Sequence, residues 1–223
     1  QDDYWTGGTD VSTGWYIDDV QVVRMVPAFT GDFEAGWGNW GTDGGVWQVG
    51  TPTAGPAGCY TGSQCAGTVL DGNYPGDTDS RLVSPTIQLP TVTGFEEIHL
   101  RFQNWFSYSV ADWGQVQVSV WDPLAGTWGA WVNVGASVAN TSGWSLKDVD
   151  LTAHAGKTLR IAFYHIAQDD YWTGGTDVST GWYIDDVQIL TPVILTVSKS
   201  GNGYCTVTST DAGISCGNDC TQT

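Results

Sequence analysis

Two adjacent carboxylates, Asp185 and Asp186, lie within the apolar run from Gly181 to Leu190, beside Tyr183, Val187 and Ile189. Side chains alternate along a strand, so strict alternation turns Asp185 toward a core with those apolar residues and Asp186 away from it; a bulge would swap them. A buried carboxylate without a partner is costly. No Lys or Arg adjoins it, and the chain holds 7 Lys+Arg against 24 Asp+Glu. A hard cation with oxygen ligands, calcium above all, suits such a site. The rival explanation is that these Asp residues cap turns or accept bonds from backbone N–H groups. Two loops offer further oxygen donors: Asp71, Asn73, Asp77 and Asp79 in one, and Asp169, Asp170 and Asp177 around Gly174-Gly175 in the other. Neither matches an EF-hand or a nonapeptide calcium repeat, and Asp, Asn and Gly are also ordinary loop residues.

Other reactive groups are sparse. There is no H-E-x-x-H, no G-x-S-x-G and no phosphate-binding G-x-x-x-x-G-K-[ST]. His99, His154 and His165 are scattered; His165 follows an apolar face and reads as a core residue. A carboxylate-pair hydrolase has no fixed spacing, but nothing supplies a nucleophile or base in a recognisable setting, and the chain reads as non-enzymatic. Cys59 and Cys65 flank a short loop, and Cys216 and Cys220 are four apart; either pair suits a small surface disulfide. Zinc is the competing use, but neither pair has a His nearby. Cys205 is left over. Disulfides imply an oxidising compartment and therefore secretion. Trp37, Trp40 and Trp47 form one aromatic cluster, and Trp121, Trp128 and Trp131 another around a turn. Both read either as core and rim packing or as platforms for sugar rings or a partner. Tyr171 and Trp172 sit in a Gly-rich loop, a plausible contact tip.

Positioning these groups falls to strands. The chain has 30 Gly and 13 Trp and no sustained 3.6-residue apolar period. Glu97–Ser107 alternates Ile98, Leu100, Phe102 and Phe106 with His99, Arg101 and Gln103. Gly114–Trp121 alternates Val116, Val118 and Val120 with Gln115, Gln117 and Ser119; Thr158–Ile166 alternates Leu159, Ile161 and Phe163 with Arg160 and Tyr164. With Trp128–Val134, Trp144–Leu151 and Gly181–Leu190 these are the clearest of roughly ten strand candidates. One-sided strands in that number predict an all-β, antiparallel two-sheet sandwich of the jelly-roll type. The formal net charge of -17 argues against nucleic acid and anionic membrane surfaces as partners, since both need a basic face, and favours bound cations. No apolar run approaches 18 residues.

The segment Gln1–Gln21 recurs letter for letter at Gln168–Gln188. Such identity marks a recent duplication. The expected organisation is the C-terminal strand of a preceding repeat (1–27), a complete repeat (28–192), and the beginning of a small β-repeat module (193–223). Because residues 14–24 correspond to residues 181–191 and repeat them through Gln21, they are expected to be able to pair with a sheet of another copy, a route to self-association.

Read in order, Asp32-Phe33-Glu34 with Trp37, Ser80–Pro85, Leu100-Arg101-Phe102, Trp144–Leu151, Ala155-Gly156-Lys157, Ile161-Ala162-Phe163 and Gly181–Val187 resemble the MAM-like jelly-roll group. That group includes cleaved-adhesin and choice-of-anchor J domains and the C-terminal domain of immune-inhibitor-A-type proteases. The tail from Val193 resembles short β-repeat modules of bacterial surface proteins. The first resemblance implies a calcium-stabilised jelly roll and places Glu34 beside the last strand, making Glu34 with Asp185 or Asp186 the main calcium candidate. It also implies an extracellular or cell-surface adhesion module that takes a protein or carbohydrate. The alternatives are a subunit of an extracellular fibre or surface layer, or an accessory domain of a secreted metalloprotease.

Overall fold

The computed structural model describes residues 25–94, 96–138, 141, 143–168, 177–192, 207–208 and 215–216. The tail strand 14–24, Asp169, Asp170, Tyr171, Trp172, Cys205 and Cys220 lie outside the described residues, as does the side chain of Cys216.

Two antiparallel sheets form the expected sandwich. The first runs β11 (Ser145–Asp150), β7 (His99–Ser107), β13 (Gly181–Pro192), β4 (Cys65–Gly67), β3 (Gln48–Gly50), with β1 (Met25–Gly31) also paired to β13. The second runs β10 (Val132–Asn133), β8 (Trp113–Asp122), β12 (Thr158–Ala167), β5 (Thr78–Val83), β2 (Gly41–Asp43), with β6 (Ile87–Gln88) on β12 and β9 (Thr127–Trp128) on β8. A separate short hairpin joins β14 (Val207–Thr208) to β15 (Ser215–Cys216). The single strand expected over Trp128–Val134 is divided into β9 and β10.

The alternation read from sequence does place the core. Leu100 and Phe102 of β7, Val116 and Val118 of β8, and Leu159, Ile161 and Phe163 of β12 are all buried between the sheets. At the centre Phe102, Phe163 and Trp182 pack edge to face, with ring centres 4.8 Å apart for Phe102–Phe163 and 5.5 Å for Phe163–Trp182. Burying each such ring is worth roughly 2–3 kcal/mol. Gly114 lets β8 approach this cluster, since a Cβ there would lie 2.5 Å from the Trp182 ring. Trp47 joins the same core, 6.0 Å from Trp182. His165 is fully buried; its Nδ1 meets the Tyr108 hydroxyl at 3.0 Å, and burial pulls its pKa down to about 4.

The last strand departs from strict alternation. Trp182 and Ile184 face the core, and so do Val187 and Ile189. The parity therefore changes between Ile184 and Val187, where the register against β7 slips by one residue and Asp186 adopts φ +49°. Upstream of that bulge, Tyr183 and Asp185 point to the outer side of the first sheet. Asp185 is buried as expected, but beneath a loop, not in the core with Val187 and Ile189. The bulge falls where the neighbour of β13 changes from β4 (Tyr183↔Gly67, Ile184↔Ala66) to β1 (Gly31↔Val187). With β7 on its other flank, β13 is a central strand. A second copy of its sequence would have to displace it to take its place.

Candidate functional site

The outer face of each sheet carries a distinct cluster. On the first sheet, the segment between Gly50 and Cys65 folds across Tyr183 and Asp185. The Cys59–Cys65 disulfide closes its tip. Within that tip the backbone N–H groups of Tyr60 and Thr61 both donate to Asp185 Oδ2 at 3.0 Å. Those of Ser63 and Gln64 both donate to Glu34 Oε1 at 2.9 Å. The Thr61 hydroxyl donates to Asp186 Oδ1 at 2.9 Å, and the Asp186 N–H to Asp185 Oδ1 at 2.8 Å. Gly62, at φ +57°, lies between the two amide pairs, and a Cβ there would lie 2.3 Å from Glu34 Oε1. Trp144 Nε1 donates to the Gly58 carbonyl at 3.0 Å, and the Tyr183 hydroxyl donates to the Val69 carbonyl at 2.7 Å.

The three carboxylates expected to meet, Glu34, Asp185 and Asp186, thus converge on one loop. Burial raises the Asp185 pKa to about 6 against the lowering effect of its amide donors; the Gln64 and Ser63 amides hold the exposed Glu34 below its ordinary value. Oxygen donors of this kind suit a hard cation. In the described arrangement, however, their lone pairs are met by N–H and O–H donors, and no three His, Cys, Asp or Glu side chains among the described residues converge to hold an ion. The set as it stands fits a loop anchor better than a coordination shell.

The described residues of the other two candidate loops are differently placed. Asp71, Asn73 and Asp77 are exposed. Asp79 lies in β5 and accepts a bond from the Tyr164 hydroxyl at 2.9 Å. Asp177 is half-buried.

The second sheet presents a different surface. Along β12, Arg160 and Tyr164 face outward, and across the ladder Tyr164 stands opposite both Arg81 of β5 and Gln115 of β8. The Arg81 guanidinium lies 3.9 Å from the Tyr164 ring centre and 5.7 Å from that of Trp131. The Arg160 guanidinium lies 4.0 Å from Trp128 and 5.5 Å from Trp131. Trp128 meets Trp121 edge to face at 5.3 Å. Cations over aromatic faces attract by about 0.5–2 kcal/mol each. Arg81 is anchored by its neighbours: its Nε donates to Gln117 Oε1 at 2.8 Å, and its Nη1 pairs with Asp43 at 3.3 Å. Gln117 in turn donates to Asn133 at 2.8 Å. Beside this cluster runs an open, shallow cleft of about 460 Å³, lined by Trp131, Arg160, Gly41–Asp43 and Ser84–Thr86.

Sequence reasoning marked Trp121, Trp128 and Trp131 as a cluster and placed Arg160 and Tyr164 on the polar face of their strand. It did not find Arg81 or the cleft. Those depend on which strand lies beside β12, and alternation within one strand does not show that.

No family model matches the chain. Bacillopeptidase F of Bacillus subtilis (strain 168) is 30% identical over 196 residues, covering 81% of this chain and 13% of that protein. The chain therefore spans about an eighth of the length of this curated relative. Among solved structures, the CBM22-1 xylan-binding domain from Paenibacillus barcinonensis Xyn10C superposes with a TM-score of 0.45 at 16% identity, covering 78% of this chain and 97% of that one. The C-terminal family 22 carbohydrate-binding module of Clostridium thermocellum Xyn10B gives 0.43 at 13% identity, covering 74% and 94%. The enzymatically active domain of bacteriophage CBA120 tailspike protein 4 gives 0.44 at 14%, covering 69% and 19%.

Proposed function

We propose that this sandwich is a non-catalytic, extracellular glycan-binding module that works in adhesion and docks its ligand on the outer face of the second sheet. The observation that carries the reading is the open cleft walled by Trp131 and Arg160, beside further aromatic rings and hydrogen-bonding side chains. Pyranose rings stack on indole faces, and the surrounding donors and acceptors fix their orientation. The proposal carries with it the division into a repeat tail (1–27), a full repeat (28–192) and a following β module (193–223), and kinship with the MAM-like jelly rolls. The Cys59–Cys65 disulfide supports an oxidising compartment. A glycan array probed with the wild-type chain and with Trp131→Ala tests it. Signal on defined glycans that disappears in the variant, at unchanged melting temperature, supports the reading; no signal on any glycan sinks it.

A second reading is favoured by the match to Bacillopeptidase F: the module is a non-catalytic part of a larger secreted peptidase. A peptidase sequence encoded in the same reading frame would establish that setting without altering the ligand assignment.

Calcium at Glu34, Asp185 and Asp186 is a separate proposal, supported by the oxygen-only donor set and the buried charge of Asp185. It requires the three side chains to draw closer than their contacts with the loop now hold them. A melting temperature that falls in EDTA and recovers with calcium establishes it; an unchanged one leaves the loop amides as their partners.

A further inference from the structure

Among the described residues, Arg160 is the guanidinium that no acceptor meets. Arg81 is engaged with Asp43 and Gln117, and Arg101 with Asp148 at the other sheet. Arg160 makes no hydrogen bond or ion pair with a described residue, and its Nε is buried without a partner. Partial burial lowers its pKa. A chain with 24 acidic and 7 basic side chains has no shortage of carboxylates to place beside it. The cleft is lined besides by Thr86 and by a carboxylate, Asp43, that already pairs with Arg81.

Resting on the glycan-binding reading, we propose that the cleft selects a glycan bearing ring carboxylates, a uronate polymer, and that Arg160 is the residue that reads the acid. A guanidinium offers paired N–H donors to a carboxylate, and such charge-assisted bonds are about twice as strong as those to a neutral hydroxyl. In a uronate the carboxyl carbon is bonded directly to the pyranose ring. A ring stacked on Trp131 therefore carries its acid group at the ring edge, and the Arg160 guanidinium lies 5.5 Å from the Trp131 centre. The overall charge of -17 does not oppose this locally, because at physiological salt charges beyond about 8 Å are largely screened.

The test is calorimetric titration, at 0.15 M salt, of the intact chain with polygalacturonate, polyglucuronate and alginate oligosaccharides and with the carboxyl-reduced form of each. The neutral glycans that the array identifies are titrated in parallel. The expected result is at least one acidic oligosaccharide binding tenfold or more tightly than its reduced form, with Arg160→Gln and Arg160→Lys each cutting that ratio to within about threefold. The Lys variant guards against a folding defect, since it keeps a long cationic side chain at this position while removing the guanidinium fork. If acidic and reduced forms bind equally, or if the ratio survives both substitutions, the uronate assignment is overturned while glycan binding stands. Tighter binding of a sulfated glycan than of every uronate overturns it as well. If no glycan binds at all, the glycan-binding reading falls and the inference falls with it.

Discussion

Asp185 and Arg160 occupy equivalent positions: each is a charged residue on the outward side of a central strand, one in each sheet. They end in opposite circumstances. Asp185 is covered by a disulfide-closed loop that spends its own amides on the charge, so that face of the molecule is sealed by the chain itself. Arg160 is packed against Trp128, faces a cleft, and has no acceptor among the described residues. A buried charge needs compensation. On the first sheet the loop amides supply it; on the second the guanidinium lies over the Trp128 ring and stays partly exposed beside the cleft. Side-chain charge does not separate a covered face from an open one here. What separates them is whether the neighbouring backbone closes over the charge.

The contrast can be broken most severely at Asp185. Asp185→Ala leaves the N–H groups of Tyr60, Thr61 and Asp186 without their acceptor. It is expected to cost about 3 kcal/mol, or roughly 6–12 °C in melting temperature for a domain of this size. Glycan binding by the still-folded fraction should persist. A stability loss that is small, or a binding loss of equal size, would show that the two faces are not independent. Replacing Cys59 and Cys65 together by Ser should cost about 2 kcal/mol, at the low end for a disulfide because the closed loop is short. Urea denaturation with and without reductant reads this directly.

On the second sheet the order of effects reverses. Trp131→Ala should weaken glycan affinity by about tenfold, near 1.4 kcal/mol, yet change stability by about 1 kcal/mol or less. A stability loss larger than the binding loss would make Trp131 a packing residue.

The smallest expected effect is the response to pH. Burial depresses the His165 pKa to about 4, so the unfolded chain binds that proton first, and stability from His165 is lost as pH falls from about 6.5 toward 4. Asp185 has the opposite sign. Its folded pKa, about 6, lies above its ordinary 3.8, so its contribution grows as pH falls through the same window. The two offset, and the wild-type melting temperature should vary little between pH 7 and pH 5. Asp185→Asn should unmask an acid-induced decrease and His165→Gln an acid-induced increase. Parallel pH profiles for all three chains would contradict both assignments.

Much of this was legible in the sequence. Period-two alternation in β7, β8 and β12 placed Leu100, Phe102, Val116, Val118, Ile161 and Phe163 inside, because burial on one face of a strand enforces that period. The Cys59–Cys65 pairing followed from their spacing. Two things were not legible. The bulge at Asp186 shifts the inward set of β13 by one residue, and it arises where β13 changes neighbours, a fact that lies in the topology. The Arg81–Tyr164 contact joins residues on two strands far apart in sequence, and only the β5–β12 register brings them face to face. Of the two early-marked Trp clusters, Trp47 went to the core and Trp131 to the cleft, a division that indole chemistry cannot announce.

The pairing of β1 with β13 also sets how the sandwich answers to pulling. Met25 stands opposite Pro192, and the ladder runs inward from there to Gly31 and Val187. A force that draws Met25 and Pro192 apart loads these rungs one after another, as in a zipper, rather than all at once in shear. The first sheet would peel until the tear reached Asp185 and Asp186, where carboxylates on β13 and Glu34 just beyond β1 hold the same disulfide-closed loop. Under tension, that loop is the place where extension would first meet resistance.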